Sequence, residues 1–292
     1  MPTETLDIAK FKSKIAPDWC PGCGDFGVLA GLQKACATLG LDPKDVMVVS
    51  GIGCSSNLPG FFGSYGMHTL HGRGVAVAQG AKLGNPDLTV ISVGGDGDGY
   101  GIGIGHFIHA MRRNINMTYI VMNNQIYGLT TGQASPTTTL NTPTKSTPEG
   151  STENPLNPIQ LALVSGATFI GRAFSGSAER MAEVMTEAIK HKGFSLVDVF
   201  SPCVTYNKIN TYSWFRERVF DLQAEGHDTS SWDSAMSAAK QPDNRIATGV
   251  FYKNSMVSTY EETEPAYKFG SPAKQKLVLD QETAAALVNS FK

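Results

Sequence analysis

"GGDGDGYGIGIG" fills residues 94–105 directly behind the apolar run "LTVISV" at 88–93, and "YIVMNNQIYGLTTGQ" follows at 119–133. These two stretches decide the fold. Each apolar run reads as a buried strand, and each closes on polar or glycine residues: Asp96 and Asp98 after the first, Asn124 after the second. Glycine at such density gives up side-chain packing and gains a backbone that turns sharply and lets a ligand approach closely. A bound ligand is the expected reason for it.

Working outward, the same alternation continues in both directions. The spacing predicts helices over 26–38, 72–84, 101–113, 158–165 and 177–191, and strands over 46–50, 88–93, 117–122, 167–171 and 195–200. Strands alternating with helices imply an α/β fold, a parallel sheet with helices on both faces, whose ligands sit at the carboxyl ends of the strands. Residues 133–157, rich in Thr, Ser and Pro, are expected to form a long functional loop or lid. Beyond residue 203 the alternation stops. The expected organisation is therefore an α/β domain over 1–203 and an irregular C-terminal extension over 204–292, covered by another subunit.

Composition excludes several classes. A formal charge of −2 without basic blocks gives no footprint for nucleic acid, and no apolar run is long enough to span a bilayer. The N-terminal "MPTETLDIAKFKSK" lacks an apolar signal core, so a cytoplasmic location is expected. An odd count of five cysteines argues there for metal, redox or buried thiols over a disulfide framework.

The glycine stretch fits neither common nucleotide motif. No start within 94–105 supplies glycines at i, i+2 and i+5, and no acidic residue lies between Asp98 and Glu149 to meet a ribose. A phosphate loop is impossible, because "GK" occurs nowhere in the chain. A third reading joins the two stretches. Asp96 carboxylate, Asn124 amide oxygen and the Ile126 carbonyl supply the protein half of a Mg²⁺ shell, with diphosphate oxygens and water completing it. Backbone amides near Gly101 then face the phosphates.

Cys54 in "GIGCSSN" and Cys203 in "SPCVTYN" follow strands, and Cys20 and Cys23 in "WCPGCGD" are expected to reach the same end of the sheet, whereas Cys36 lies on an apolar helix face and reads as packing. Four thiolates suit tetrahedral zinc or an iron–sulfur cluster. The spacing leaves both open. Oxidative decarboxylation of a 2-oxo acid on thiamine diphosphate releases two electrons, which a cluster can carry and zinc cannot.

With both motifs placed, the chain resembles the β subunits of 2-oxoacid:ferredoxin oxidoreductases, most like the 2-oxoglutarate branch. The resemblance runs through "WCPGCGDFGVL", "GIGCSSNLPGFF", "YGMHTLHGRGVAVAQGAKLGNPDL", "GGDGDGYGIGIGHFIHAMRRNIN", "MNNQIYGLTTGQ" and "SPCVTYN", most of residues 17–210. It implies a thiamine-diphosphate-binding fold holding the pyrophosphate half of the cofactor, with Mg²⁺ on Asp96, Asn124 and Ile126 and one [4Fe–4S] cluster on Cys20, Cys23, Cys54 and Cys203. The cofactor is expected against Ile52, Gly53, Ser55, His71, Gly95, Asp96, Gly97, Asp98, Asn124, Tyr127, Gly128 and Leu129. No catalytic residue is assigned within this chain, since the activating glutamate is implied on an α subunit. Partners implied are that subunit, as a dimer of heterodimers, and ferredoxin, with coenzyme A as co-substrate. Some relatives carry lysine where this sequence has Asn57.

Other readings carry less. Arg73, beside His71, suits an anion; His106 and His109 read as structural; "MRRN" at 111–114 reads as a helix end complementing its dipole. Leu58, Pro59, Phe61, Phe62, Trp214, Phe215 and Phe220 are expected in a subunit interface. The alternatives are a pyruvate-specific or broad oxidoreductase, a zinc-stapled module without turnover, and a non-oxidative decarboxylase.

Overall fold

The computed structural model describes residues 7–240, 244–275 and 278–291. Five strands are near-continuous apolar runs, as a sheet covered on both faces requires: β1 (Val46–Ser50), β3 (Thr89–Gly95), β4 (Thr118–Asn123), β5 (Phe169–Phe174) and β6 (Ser195–Phe200). The short β2 (Tyr65–His68) adds an exposed edge, while β7 (Val219–Asp221) and β8 (Ile246–Lys253) close the other side. The order across the sheet is β2-β1-β3-β4-β6-β5-β8-β7, with every pairing parallel except β5 to β8.

Helices α1 (Asp25–Thr38), α2 (Leu58–Phe61), α3 (Gly74–Gly84), α4 (Ile104–Arg113), α5 (Pro158–Val164), α6 (Ala178–Lys190), α7 (Tyr212–Arg216) and α8 (Trp232–Ala239) cover it. Alternation along each strand sorts the core into two layers. Val48, Ile91, Ile120 and Val197 pack under α1 and α6; Val49, Val90, Val121 and Leu196 pack under α3, α4, α5 and α8. Two short helices, α9 (Tyr260–Thr263) and α10 (Gln281–Asn289), end the chain with no buried side chain.

Two expectations are corrected. Residues after 203 are no irregular extension throughout, for β7 and β8 extend the same sheet, and Ala235, Ala238 and Phe251 complete its second core layer. Their strands are short or reached by long connections, so periodicity does not announce them. The apolar residues assigned to an interface are mostly interior: Leu58, Pro59, Phe61, Phe62 and Phe215 are buried in this chain's own core, and Trp214 and Phe220 pack partly against it. Exposed apolar side chains occur elsewhere, at Tyr65, Met67 and Leu70 on the β2 edge and at Phe269 and Phe291.

Candidate active site

The four adjacent strands β1, β3, β4 and β6 all end at one side of the sheet, and the turns that follow them build two neighbouring cavities. The larger, about 510 Å³, is lined by Ile52, Gly53, Cys54 and Ser55 after β1, His71 ahead of α3, residues 95–98 after β3, and Asn124, residues 126–130 and Gln133 after β4. Every residue expected around a cofactor lies on its wall.

Within it the two aspartates do different work. Asp98 ties the wall together: one oxygen accepts the Ile52 and Gly72 amides at 3.0 and 2.7 Å and lies 3.1 Å from His71 Nδ1. Gly51 is glycine because a Cβ there would overlap the Asp98 carboxylate. His71 Nδ1 also lies 3.2 Å from the Ile52 carbonyl; with acceptors on both sides, Nδ1 carries the proton. Arg73 turns away, towards the Ile102 carbonyl.

Asp96 is 1% exposed, and only its Oδ2 receives side-chain hydrogen bonds, from Ser135 Oγ at 2.6 Å and Thr137 Oγ1 at 2.7 Å. Burial without a cation pushes its carboxyl up to about 6, against the pull of those hydroxyls. Asn124 Oδ1 accepts the Ile126 amide at 3.1 Å, and between them Gln125 holds a left-handed φ of 59°. Such backbone in a non-glycine residue concentrates at functional sites. Among the described residues nothing donates to the Ile126 carbonyl. A buried carboxylate, an amide oxygen and a free carbonyl on one cavity form the hard-oxygen donor set that Mg²⁺ takes, with room left for phosphate oxygens and water. The residues present fit that ion.

The smaller cavity, about 200 Å³, is lined by Cys20, Cys23, Cys54 and Cys203 together with Trp19, Asp25, Asn57 and Tyr206. Cys36 is fully buried in the core instead. Burial pushes Cys23 upward and Cys54 up to about 11, with neighbouring cysteines and Asp25 adding repulsion. Thiols so placed ionise when cationic metal compensates them. Among the described residues no three His, Cys, Asp or Glu side chains converge closely enough for a single ion. Four thiols lining one cavity are a donor set for either tetrahedral zinc or an iron–sulfur cluster. Cys54, Asn124, Gly128 and Leu129 line both cavities, and a Cβ on Gly128 would meet Cys54 Sγ and Cys203 Sγ at 3.5 and 3.8 Å. The two chambers share that wall.

Sequence reasoning missed Ser135, Thr137 and Asn123. A polar loop of 25 residues signals function without showing which hydroxyls turn inward. His106 and His109 lie on α4 outside both cavities, and Arg112 and Arg113 close that helix ahead of Asn114. No helix among the described residues is long and apolar enough to cross a membrane.

Comparison with known proteins places this geometry. Residues 49–199 match the thiamine pyrophosphate enzyme C-terminal TPP binding domain, and residues 203–268 match the C-terminal family of the pyruvate ferredoxin oxidoreductase beta subunit. The β subunit of 2-oxoacid:ferredoxin oxidoreductase 1 from Aeropyrum pernix is 45% identical over 91% of this chain and 88% of its own. The KorB subunit of 2-oxoglutarate oxidoreductase from Mycobacterium tuberculosis is 47% identical over 65% of this chain and 51% of its own. Among solved structures, 2-oxoglutarate:ferredoxin oxidoreductase from Magnetococcus marinus, with 2-oxoglutarate, coenzyme A and succinyl-CoA bound, superposes with a TM-score of 0.89 at 43% identity, covering 97% of this chain and 96% of that one.

Proposed function

The chain belongs to the β subunits of the 2-oxoacid:ferredoxin oxidoreductases, and from that premise we propose that, with an α subunit, it converts 2-oxoglutarate and coenzyme A to succinyl-CoA and CO₂. Cys20, Cys23, Cys54 and Cys203 would hold a [4Fe–4S] cluster, which would supply the one-electron chemistry needed to deliver the two electrons to two ferredoxins. The observation that carries this reading is the shared wall: the thiol cavity and the cofactor cavity meet at Cys54, Asn124, Gly128 and Leu129.

Thiamine diphosphate, when bound, supplies the decarboxylating chemistry. Asp96, Asn124 and the Ile126 carbonyl would hold the Mg²⁺ that neutralises the diphosphate, and Asp98 keeps the Ile52 and Gly72 turns in place on the cavity wall. Leu129, half-exposed at the junction, packs against the cofactor, and His71, held at Nδ1, lines the cavity beside it. Ile52 and Leu129 leave apolar surface at the rim, which suits closure by an α subunit that brings the activating glutamate. The C-terminal extension over 204–292 is proposed to meet a subunit as well, in a dimer of heterodimers, which the exposed Phe269 and Phe291 support.

A relative and a solved structure named for 2-oxoglutarate support that substrate. A broader or pyruvate-directed range is the second reading, favoured by the 45–46% identical relatives named only for 2-oxo acids and by the family matched at 203–268. With a low-potential donor the reaction runs in reverse, carboxylating succinyl-CoA.

The test is co-purification with the α subunit, iron and sulfide analysis, and assay of 2-oxoglutarate, pyruvate and 2-oxobutyrate with coenzyme A and ferredoxin. We expect a brown complex bleached by dithionite, fastest on 2-oxoglutarate, and no turnover by this chain alone. A colourless zinc protein, or aldehyde release in place of acyl-CoA, overturns the proposal.

A further inference from the structure

Residues 133–157 form no helix, yet the first turn of this loop is interior: Ser135, Thr137 and Thr138 are 7%, 3% and 2% exposed. Burying hydroxyls is costly unless each finds a partner. Each does, and the partners are the two halves of the metal site. Ser135 Oγ and Thr137 Oγ1 both address Asp96 Oδ2, and neither addresses Oδ1. Thr138 Oγ1 donates to the Gln125 carbonyl at 2.7 Å while Gln125 Nε2 donates to the Thr137 carbonyl at 3.2 Å. The loop thus grips the left-handed residue that separates Asn124 from Ile126. The turn also locks itself, since the Ser135 amide donates to Thr138 Oγ1 at 2.7 Å. Thr137 Oγ1 lies 2.9 Å from Asn123 Oδ1, and Asn123 Nδ2 donates to Asp198 Oδ1 at 3.1 Å, which anchors the arrangement in the sheet.

We propose that Ser135, Thr137 and Thr138 form a hydroxyl brace that positions Asp96 and the Asn124–Ile126 turn relative to each other and reserves Asp96 Oδ1 for the cation. The inference rests on the assignment of Asp96, Asn124 and Ile126 to Mg²⁺. A carboxylate held through one oxygen by two hydroxyls has its rotation fixed, so its other oxygen is presented in one direction. Removing the hydroxyls frees that rotation and uncouples the two ligand turns. These are positioning residues, acting through the metal ligands.

The experiment uses the complex of both subunits and titrates Mn²⁺ in the presence of thiamine diphosphate, following the free ion by electron paramagnetic resonance. The Ser135→Ala/Thr137→Val double variant is expected to bind Mn²⁺ about 10–100-fold more weakly, as loss of supporting partners does at metal sites. Its apparent KM for Mg²⁺ rises in step. Thr137→Ser keeps the hydroxyl and restores affinity. Native affinity in the double variant, or a loss of kcat with the KM for Mg²⁺ unmoved, overturns the brace. Should the double variant fail to assemble, Thr137→Val alone, nearly isosteric, decides: a several-fold loss supports the proposal and none refutes it. Failure of the metal assignment itself is visible separately, as native enzyme that binds Mn²⁺ no better with thiamine diphosphate than without.

Discussion

Two buried carboxylates in one hydrogen-bonded network meet opposite electrostatic conditions. Asp198, in the middle of β6, is fully buried and completed within the chain: Arg172 Nε donates to its Oδ2 at 2.9 Å, Tyr100 and Asn123 donate to its Oδ1, and the guanidinium lies over the Phe200 ring. Asp96, at the carboxyl end of β3, has hydroxyls and no cation, and the charge on Asp198 adds to its burden. The network holds two carboxylates against one guanidinium. The charge in the sheet interior is thus paired within the chain, whereas the carboxylate at the carboxyl end has hydroxyl partners alone, which is what the proposed Mg²⁺ would complete. Burial alone does not distinguish these two acids; the resident guanidinium on Asp198 does.

The largest effects come from exchanging these conditions. Arg172→Ala strands the Asp198 charge in the core and is expected to cost about 3–5 kcal/mol of stability, most of it recovered in Arg172→Met/Asp198→Asn, where no charge is left unpaired. Asp96→Asn should do the reverse. Without metal it is at least as stable as the native complex, because it removes an uncompensated buried charge, while cofactor retention is lost. Denaturant midpoints of the two series with and without Mg²⁺–thiamine diphosphate make the check. Destabilisation of the metal-free complex by Asp96→Asn as severe as that by Arg172→Ala would erase the distinction.

The thiols divide the same way. Cys36, fully buried and pushed up to about 12 by burial, packs among the core residues under α1; Cys203 faces the smaller cavity. Cys203→Ala is expected to strip the cluster iron and its absorbance near 400 nm, whereas Cys36→Ala leaves iron and sulfide content unchanged and costs at most about 1 kcal/mol, the order of one buried methylene-sized group. Equal iron loss in both variants would mean that the ligand set is wrong.

Legibility followed the same boundary. The core strands and their crossover helices were readable because burial on both faces writes continuous apolar runs, and β1 and β6 fall where periodicity put them. Asp96 and Asn124 come to the larger cavity and the four cysteines to the smaller, and glycine and cysteine spacing in the sequence pointed to those places. Ser135 and Thr137 were not readable, since serine and threonine in a Thr-rich loop look alike whether they face water or a carboxylate. Nor were β7 and β8: the three residues of β7 leave no period, and β8 joins antiparallel across a long connection. The burial of Leu58 and Phe61 was misjudged for a related reason, because a short apolar turn reads alike whether it plugs its own core or a neighbour's.

His191 offers the most local version of the comparison, a buried base tolerated in one protonation state only. Its Nε2 lies 2.9 Å from Thr168 Oγ1, which donates its own hydrogen to Asn114 Oδ1 and therefore accepts from Nε2–H, and Nδ1 is buried with no partner among the described residues. Protonating Nδ1 would place an unpaired N–H and a charge against the Phe169 ring and near Lys253, and the imidazole is held down at about 4, by burial first and by Lys253 second. A histidine whose folded-state value lies below its unfolded value of about 6.5 binds fewer protons folded than unfolded in the window between them, so its contribution is complete above pH 6.5 and is lost as pH falls through 4. At most about 3 kcal/mol is at stake. His191→Phe should therefore flatten the acid limb: the apparent unfolding midpoint of the native complex falls between pH 6.5 and 4.5 relative to that of the variant, and the two run parallel above pH 7. Parallel curves across the whole range would show that His191 exchanges protons as freely folded as unfolded, and that the buried Nδ1 finds a partner in solution.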